Sequence, residues 1–419
     1  MEELFSPLLT AEQARSVREM AGTPAYVYSE PVLRLRGKEA LAFPAPFGLC
    51  VRFAIKACPN AVILRLFDSM GIAFDASSSF EAERLLRAGV QPQSISLSSQ
   101  ELSADFAQLV RKGVRFDACS LHQLEQYGKL FPGTELSLRI NPGLGSGHSR
   151  RTNVGGPAAS FGIWHGRMAE ILDICTRYRL RIGVMHTHIG SGADPDVWAR
   201  VARLNLETVR KLPHVHTLNM GGGFKVARVP GEKQTDLQAT GAIVAHALEE
   251  FAAKTGRRLK LEIEPGTYLA AQAGAVVATV QDLASTGSDG FNFLKLDTGM
   301  TELLRPSLYG AQHGIRVYPE RETGRVLPYL VAGHCCESGD ILTPAPGDPE
   351  GLLARELPEA AIGDICVIEG AGAYCSAMPA KNYNSFPEAP ELLLHQDGGL
   401  SLIRRRQTLE QMLLNEVTD

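Results

Sequence analysis

The stretch Leu49-Cys-Val-Arg-Phe-Ala-Ile-Lys56 is an apolar run that ends in a lysine, and Ala-Cys-Pro-Asn60 and a helix-like stretch follow it directly. The run predicts a buried strand with Lys56 at its C-terminal end. A barrel enzyme would hold a carbonyl cofactor on such a lysine. A lysine at a strand end is more often a solvated surface charge. Further features of the chain are therefore needed to distinguish a cofactor lysine from a surface lysine.

Short β-prone runs alternate with amphipathic helices from about residue 49 to residue 266. The predicted strands are 49–55, 72–76, 94–98, 114–118, 135–140, 182–189, 216–220 and 259–264. The predicted helices are 60–70, 79–88, 102–112, 121–130, 166–178, 196–211 and 237–255. Eight strands with intervening helices predict an α/β fold, the (β/α)₈ or TIM barrel.

In such barrels the functional groups collect at the C-terminal ends of the strands. Here the predicted strand ends carry Lys56, Asp75, Asp117, Arg139, His188, Gly221–Gly223 and Glu264. Ionisable groups that recur at equivalent strand ends fit a functional site better than they fit random surface charge.

After Gly266 the β-prone runs are short and are separated by Gly, Pro and Asp. They are Ala275–Val280, Phe293–Leu296, Tyr329–Ala332, Asp364–Ile368 and Leu392–Leu394. A hairpin is predicted around Asp397-Gly398. We therefore expect a barrel domain at 30–272 and a mostly-β domain, a barrel or sandwich, at 273–419, with residues 1–29 joining the second domain through a strand at 26–28.

The charge balance excludes some partners. With 42 basic and 46 acidic side chains and a net charge of −4, the chain shows no electrostatic feature that favours nucleic acid or membrane binding. The N-terminus lacks a basic region followed by an apolar core, so we expect a cytoplasmic protein. The eight cysteines lack paired CxxC spacing, which argues against structural zinc and predicts free thiols.

The residues at the strand ends suit pyridoxal phosphate (PLP), which needs a lysine for a Schiff base, a phosphate site, a ring contact and control of the pyridine nitrogen. The glycines Gly221–Gly223 can bring backbone N–H groups close to a phosphate. His188 could lie against the ring, with Ser191 near the phosphate. Of Glu262 and Glu264, we expect only one to face the barrel centre or the ligand, where a carboxylate would keep the pyridine nitrogen protonated and favour decarboxylation.

The motif His186-Thr-His188 has a second interpretation, because barrel amidohydrolases bind metal with an HxH pair. That pair normally lies on the first strand, whereas here it lies on the sixth, and no clear set of further ligands completes a zinc site. His186 is expected to be a packed or hydrogen-bonded core residue. Cys335-Cys336 could equally be two small buried residues.

Seven motifs occur in one order along the chain. They are Phe53-Ala-Ile-Lys-Ala-Cys-Pro-Asn60, His186-Thr-His-Ile-Gly-Ser-Gly192, Gly221-Gly-Gly223, Glu262-Ile-Glu-Pro-Gly266, Leu304-Arg-Pro-Ser-Leu-Tyr-Gly310, Cys336-Glu-Ser-Gly-Asp340 and Gly372-Ala-Tyr374. Over almost its whole length the chain resembles the diaminopimelate decarboxylases, PLP enzymes of the alanine-racemase-like fold class (group IV decarboxylases). The resemblance implies decarboxylation of meso-2,6-diaminopimelate to L-lysine by a homodimer whose active sites are shared across the interface.

The resemblance also implies roles for individual residues. For the cofactor they are Lys56 for the Schiff base, His188 for the ring, Glu264 for the pyridine nitrogen, Gly221, Gly222, Gly223, Ser191, Gly266 and Thr267 around the phosphate, and Asp75, Arg139 and Tyr374 nearby. For the substrate they are Arg305 and Tyr309 for the distal carboxylate, Glu337 for the distal ammonium, Tyr374 beside them, and Cys336 as the acid that reprotonates the carbanion. Cys336 and Glu337 would come from the partner subunit.

One position departs from the family pattern. The family usually reads Glu-Pro-Gly-Arg, and that arginine also contacts the substrate carboxylate, whereas this chain has Thr267. Arg150 or Arg151, in the glycine-rich loop 143–160, could replace the contact, or both could be exposed loop charges. Three alternatives stay open: a decarboxylase of a related diamino acid, such as D-lysine, D-ornithine or carboxynorspermidine; a PLP-dependent racemase; and a non-catalytic PLP-binding protein.

Overall fold

The computed structural model describes residues 5–145 and 154–417. The chain divides into two compact units, which we call the barrel unit and the β unit. The barrel unit comprises Arg34–Lys225 and Lys233–Leu269, and the β unit comprises Met1–Leu33, Val226–Glu232 and Ala270–Asp419. Residues 226–232, which lie within the range predicted for the barrel domain, therefore belong to the β unit.

The barrel unit contains a closed ring of eight parallel strands, as predicted. The strands are Leu49–Ala54, Ala73–Ala76, Ile95–Leu97, Arg115–Ala118, Glu135–Asn141, Arg181–His186, Thr217–Asn219 and Lys260–Ile263. The last strand pairs in parallel with the first, and each of the others pairs with its neighbours in sequence, so the sheet has no free edge in the ring. A two-residue strand, Ile163–Trp164, pairs with the fifth strand.

The helices of the barrel unit follow its strands. They are Ala61–Ser69, Ser79–Arg87, Phe106–Lys112, Leu121–Leu130, Met168–Tyr178, Pro195–Arg210 and Leu237–Thr255. Side chains of Asn60, Ser78 and Ser120 cap three of the N-termini, which satisfies otherwise unpaired N–H groups. The third helix begins at Phe106 rather than at 102, because the preceding residues form turns in which the Phe106 N–H donates to the Ser103 carbonyl.

The strand predicted at 182–189 ends at His186. Thr187 still donates its N–H to the Asn219 carbonyl at 2.9 Å. The chain then turns at Gly190, whose φ of +115° is in the region that favours glycine. His188 therefore lies in the loop that follows the strand.

The β unit is built on a nine-stranded mixed sheet and a two-stranded one. The strands are Ala25–Ser29, Gly274–Ser285, Asn292–Leu296, Ile315–Tyr318, Val326–Ala332, Arg355–Pro358, Ile365–Glu369, Glu391–Leu394 and Leu400–Arg404, with Pro344–Ala345 and Asp348–Leu352 in the small sheet. The predicted hairpin is confirmed, because the strands on either side of Asp397-Gly398 pair antiparallel. Valine and leucine side chains form its core, including Val27, Val277 and Leu392.

Five more helices complete the description. Ala11–Ala21, Leu304–Tyr309 and Leu409–Leu413 belong to the β unit, and Glu30–Leu41 and Thr267–Ala270 contain residues at which the chain passes between the units. Of the described helices, none combines the length and the apolar character that crossing a membrane requires.

Candidate active site

The predicted site residues divide between the two units. The barrel unit holds Lys56, Asp75, Arg139, His188, Ser191, Gly221, Gly222, Gly223, Glu264, Gly266 and Thr267. The β unit holds Arg305, Tyr309, Cys336, Glu337 and Tyr374.

Lys56 lies directly after the first barrel strand. A single turn of 3₁₀ helix, Ile55–Ala57, follows that strand, and Asn60 then caps the next helix by accepting from the Val62 N–H at 3.0 Å. The lysine is exposed, although both neighbours in the turn are buried. Its Nζ lies 3.4 Å from the Ser77 Oγ, at the end of the second strand. The amine is thus held at the C-terminal end of the barrel, where it can reach a ligand.

Glu264 is a buried carboxylate with two polar partners. Asn219 donates its amide to Glu264 Oε1 at 2.6 Å. The His186 Nε2 lies 3.2 Å from Glu264 Oε2, and the His186 Nδ1 lies 2.5 Å from Asp117 Oδ2. His186 is therefore a hydrogen-bonded core residue, as expected, and it links two carboxylates.

This arrangement sets the charges inside the barrel. Burial alone would raise the pKa of Glu264, but the charge and hydrogen bond of His186 and the hydrogen bond of Asn219 lower that pKa below its usual range. Burial alone would lower the pKa of His186, but Glu264 and Asp117 raise it to about 9. At neutral pH, Glu264 is an anion and His186 a cation.

We expect the protonated His186 to stabilise the fold in a defined pH range. Because its pKa in the folded protein, about 9, exceeds its ordinary value of about 6.5, its contribution is complete below about pH 6.5 and disappears as pH rises through about 9. The difference in thermal unfolding midpoint between wild type and His186→Gln should therefore be largest near about pH 6 and shrink by about pH 9.5. A difference that stays constant over this range would contradict the assignment of charge.

Asp75 is the second buried carboxyl group near Lys56. Burial, and then the negative charge of Glu264, raise the pKa of Asp75 to about 7, although the charge of Lys56 opposes this. Ser98 donates its hydroxyl to Asp75 at 2.7 Å. Two carboxyl groups of the barrel interior thus differ in protonation because they have different partners.

The glycines Gly221–Gly223 form a backbone surface that leaves no room for side chains. A Cβ at Gly222 would lie 2.2 Å from the Glu264 carbonyl oxygen, and one at Gly223 would lie 1.7 Å from that of Gly190. The N–H groups of Gly223 and Gly266 have no hydrogen-bond partner among residues 5–145 and 154–417. Unpartnered N–H groups on a surface without side chains fit the phosphate of PLP.

His188 has a fixed orientation. The Gly222 N–H donates to the His188 Nδ1 at 3.1 Å, so Nδ1 is the unprotonated nitrogen. Burial, and then the charges of Arg139 and Lys56, lower the pKa of His188 well below its usual value. A neutral imidazole that is held by a backbone group can lie against an aromatic ring without adding charge. Ser191 follows in the same loop and is half-buried.

The expectation that only one of Glu262 and Glu264 faces the interior is wrong. Residues two apart on a strand point to the same side, and the Asn219 amide lies 3.4 Å from Glu262 and 2.6 Å from Glu264. Glu262 differs from Glu264 in the groups that bind its carboxylate. Arg52 and Arg115 both bind it, at 3.1 and 2.6 Å, so its charge is neutralised within the barrel.

Asn219 is a site residue that sequence reasoning missed. Its amide donates to Glu264, and its Oδ1 accepts the Gly221 N–H at 2.8 Å. It thereby positions both a candidate catalytic carboxylate and the first glycine. The signal was its position at the end of the strand Thr217–Asn219, two residues before Gly221, but a lone asparagine in a strand carries no specific motif.

In the β unit, residues 336–339 form an exposed loop. Asp340 anchors it, accepting the Cys335 N–H at 2.9 Å and the Met300 N–H at 2.6 Å. Glu337 is held in the loop by the Gly339 N–H at 3.1 Å. The alternative in which both cysteines are buried is wrong, because Cys336 is exposed and Cys335 half-buried: the anchor at Asp340 turns the chain outwards.

Arg305 and Tyr309 belong to the helix Leu304–Tyr309. The Arg305 guanidinium carbon lies 5.9 Å from the centroid of the Tyr309 ring. Tyr374 has a φ of +57°, an uncommon conformation for a tyrosine. Residues in such sparsely populated backbone conformations cluster at active sites and ligand-binding positions.

The described parts of the chain contain no cluster of three or more His, Cys, Asp or Glu residues that could hold a metal ion. Arg150 and Arg151, the candidates to replace the missing arginine at position 267, lie outside the described residues.

Comparisons with known proteins identify relatives of this chain. Residues 38–271 match the family model described as "Pyridoxal-dependent decarboxylase, pyridoxal binding domain". The diaminopimelate decarboxylase of Escherichia coli strain K12 is 35% identical, over 98% of this chain and 97% of that protein.

Solved structures show the same relationship. A crystal structure of diaminopimelate decarboxylase has a TM-score of 0.90 and 35% identity, with 99% of each chain covered. The Helicobacter pylori diaminopimelate decarboxylase, crystallised with L-lysine, has a TM-score of 0.83 and 28% identity, covering 96% of this chain and 98% of that one. The chain therefore belongs to the pyridoxal-dependent decarboxylases and, within them, to the diaminopimelate decarboxylase family.

Proposed function

We propose that this chain is a PLP-dependent decarboxylase that releases CO₂ from the D-configured centre of meso-2,6-diaminopimelate and forms L-lysine, the last step of lysine biosynthesis. The observation that carries the proposal is the buried, ionised Glu264, held by His186 and Asn219 in the barrel whose first strand leads to Lys56. Relatives of the same length and fold bear this activity in their names.

Bound PLP supplies an electron sink for the carbanion that loss of CO₂ leaves. Lys56 would provide the amine that holds the cofactor covalently. Glu264 would keep a proton on the pyridine nitrogen because a fixed carboxylate favours the protonated form. His188, fixed by the Gly222 N–H, would lie against the ring, and the backbone around Gly222, with the unpartnered N–H groups of Gly223 and Gly266, would hold the phosphate.

The carboxylate at Glu264 also argues against a racemase. A racemase of this fold class usually sets an arginine beside the pyridine nitrogen, which weakens the electron sink. A related diamino acid is the second candidate, because Thr267 stands where the family has arginine. Measuring CO₂ release from meso-diaminopimelate beside D-lysine, D-ornithine and carboxynorspermidine tests both, and a faster rate on any of the last three would replace our substrate.

At the substrate's other end, we assign Arg305 and Tyr309 to the distal carboxylate and Glu337 to the distal ammonium. An arginine suits a carboxylate because its paired N–H donors match both oxygens. Cys336 donates the proton that replaces CO₂, and Tyr374 lies beside the substrate. The Helicobacter pylori relative was crystallised with L-lysine, the product that we propose here.

We also propose a homodimer in which residues 336–339 complete the partner's site. The exposure of Cys336 and Glu337 supports this, because a proton donor and a substrate ligand would serve little purpose in open solvent. All eight cysteines are free thiols, which is consistent with a reducing compartment such as the cytoplasm.

The shared site can be tested by mixing two inactive proteins. A Lys56→Ala subunit and a Cys336→Ala subunit each lack a different half of the site, so a heterodimer has one site with both lesions and one with neither. Random pairing should restore about a quarter of wild-type activity. No recovery, although native mass spectrometry shows that subunits have exchanged, would place the whole site within one chain.

A further inference from the structure

Arg228 is a half-buried arginine in the segment Val226–Glu232 of the β unit. Its Nε donates to the Gly370 carbonyl at 3.0 Å. Gly370 has a φ of +68°, and a Cβ there would lie 2.9 Å from the Arg228 Cγ. The stem is therefore fixed. The Nη2 atom, however, is buried and has no hydrogen-bond partner in the described part of the chain.

A purely structural arginine in this protein has a different pattern. Arg257 donates both terminal nitrogens to backbone carbonyls, those of Val209, Leu212 and Val215, at 2.7 to 3.0 Å. Arg228 uses only Nε in this way. Its terminal nitrogens are thus available to a group that the chain itself does not supply.

Two further polar atoms of the β unit are buried without a partner, and both belong to residues whose charge or pKa is coupled to Arg228. The Nε of Arg305 has no partner among the described residues. His313 has its Nδ1 2.9 Å from the Glu369 carbonyl, to which it can only donate, and its Nε2 is buried without a partner in the same part of the chain.

The charges at this place do not balance. Burial, and next the positive charge of Arg305, lower the pKa of Arg228 to about 9, whereas Cys375 and then the carboxylate of Glu232 oppose this more weakly. Burial, and then the charges of both arginines, lower the pKa of His313 well below its usual value. Two guanidinium groups thus repel each other, and among the described residues no carboxylate forms an ion pair with the terminal nitrogens of Arg228. An anionic ligand would stabilise this arrangement.

We propose that Arg228 and Arg305 together bind the carboxylate at the non-reacting end of the substrate, and that Arg228 supplies the guanidinium that the family carries at the position of Thr267. The inference rests on the proposed function, since that carboxylate distinguishes meso-diaminopimelate from D-lysine. The substrate contact has then moved from position 267 to Arg228, and Thr267 does not indicate a different substrate.

The test compares two ligands that differ only by this carboxylate, L-lysine and cadaverine, by titrating each into the PLP-loaded protein and measuring its dissociation constant. Arg228→Met should weaken L-lysine binding by about 10- to 100-fold and leave cadaverine within about twofold, because one charge-assisted contact is lost. Arg228→Lys should keep part of the preference. Arg257→Met, the control, should reduce thermal stability but not the ratio of the two constants.

Equal losses for both ligands, or an unchanged preference in Arg228→Met, would overturn the proposal. Adding Thr267→Arg to Arg228→Met should recover at least about tenfold in L-lysine binding; a double variant as weak as the single one would show that the two arginines are not equivalent. If wild type releases no CO₂ from meso-diaminopimelate yet prefers L-lysine to cadaverine through Arg228, the proposed function fails and the anion site stands.

Discussion

Lys56→Ala should reduce turnover to about one-thousandth of wild type or less, because amine exchange with the substrate starts from the covalent link that this lysine makes. The direct measurement is reduction with borohydride followed by peptide mass spectrometry. In wild type the peptide containing Lys56 should gain the mass of the reduced cofactor, and in the variant no peptide should gain it.

The matched control is Lys260→Ala, which removes another exposed lysine from the same barrel. Lys260 begins the last strand, Lys260–Ile263, and so lies at the opposite end of the sheet from the predicted site. It should keep near-normal turnover and the labelled peptide. Substantial activity of Lys56→Ala without an added amine would show that another group holds the cofactor.

Glu264→Gln should reduce turnover by about 10²- to 10⁴-fold while the cofactor stays bound. The amide is nearly the same size as the carboxylate, but it has no negative charge to keep the pyridine nitrogen protonated. Steady-state CO₂ release gives the rate, and the absorbance of the bound cofactor gives the occupancy. A variant near the wild-type rate would show that another group controls this nitrogen.

Glu262→Gln provides the comparison, since it makes the same chemical change two residues earlier on the strand. It would leave the charges of Arg52 and Arg115 without their shared carboxylate, which should cost about 3–5 kcal/mol of stability. We expect a lower unfolding midpoint and near-normal turnover per folded molecule. If Glu262→Gln is the variant that loses turnover while staying stable, the roles of the two carboxylates are exchanged.

The barrel could be predicted from sequence because each of its strands and helices has a local signature. Apolar runs of five to eight residues, amphipathic helices and capping residues such as Asn60 are read from neighbours in the chain. The same locality explains the error at the third helix, where turns of the backbone, not the apolar pattern, decide that the helix begins at Phe106.

The site was harder to predict because its residues acquire their properties from distant partners. Glu262 and Glu264 have the same local pattern, and only Arg52 and Arg115, far away in sequence, separate a structural carboxylate from a candidate catalytic one. Arg228 likewise becomes a candidate ligand only through its hydrogen bond to Gly370 and the nearby charge of Arg305. Such contacts have no sequence period, so a single chain without its fold cannot reveal them.

The position of Ala25–Ser29 in the β unit has a consequence for synthesis of the chain. All five residues are buried, yet both neighbouring strands, Gly274–Ser285 and Glu391–Leu394, leave the ribosome much later. At about 5–20 residues per second, the strand waits roughly tens of seconds for its second neighbour. Both of its backbone edges are open to other chains until Gly274–Ser285 has been made, and one edge stays open until Glu391–Leu394 follows. The strand is therefore most open to aggregation while the barrel is being made, and a chaperone that covers the first thirty residues would protect the nascent polypeptide at that stage.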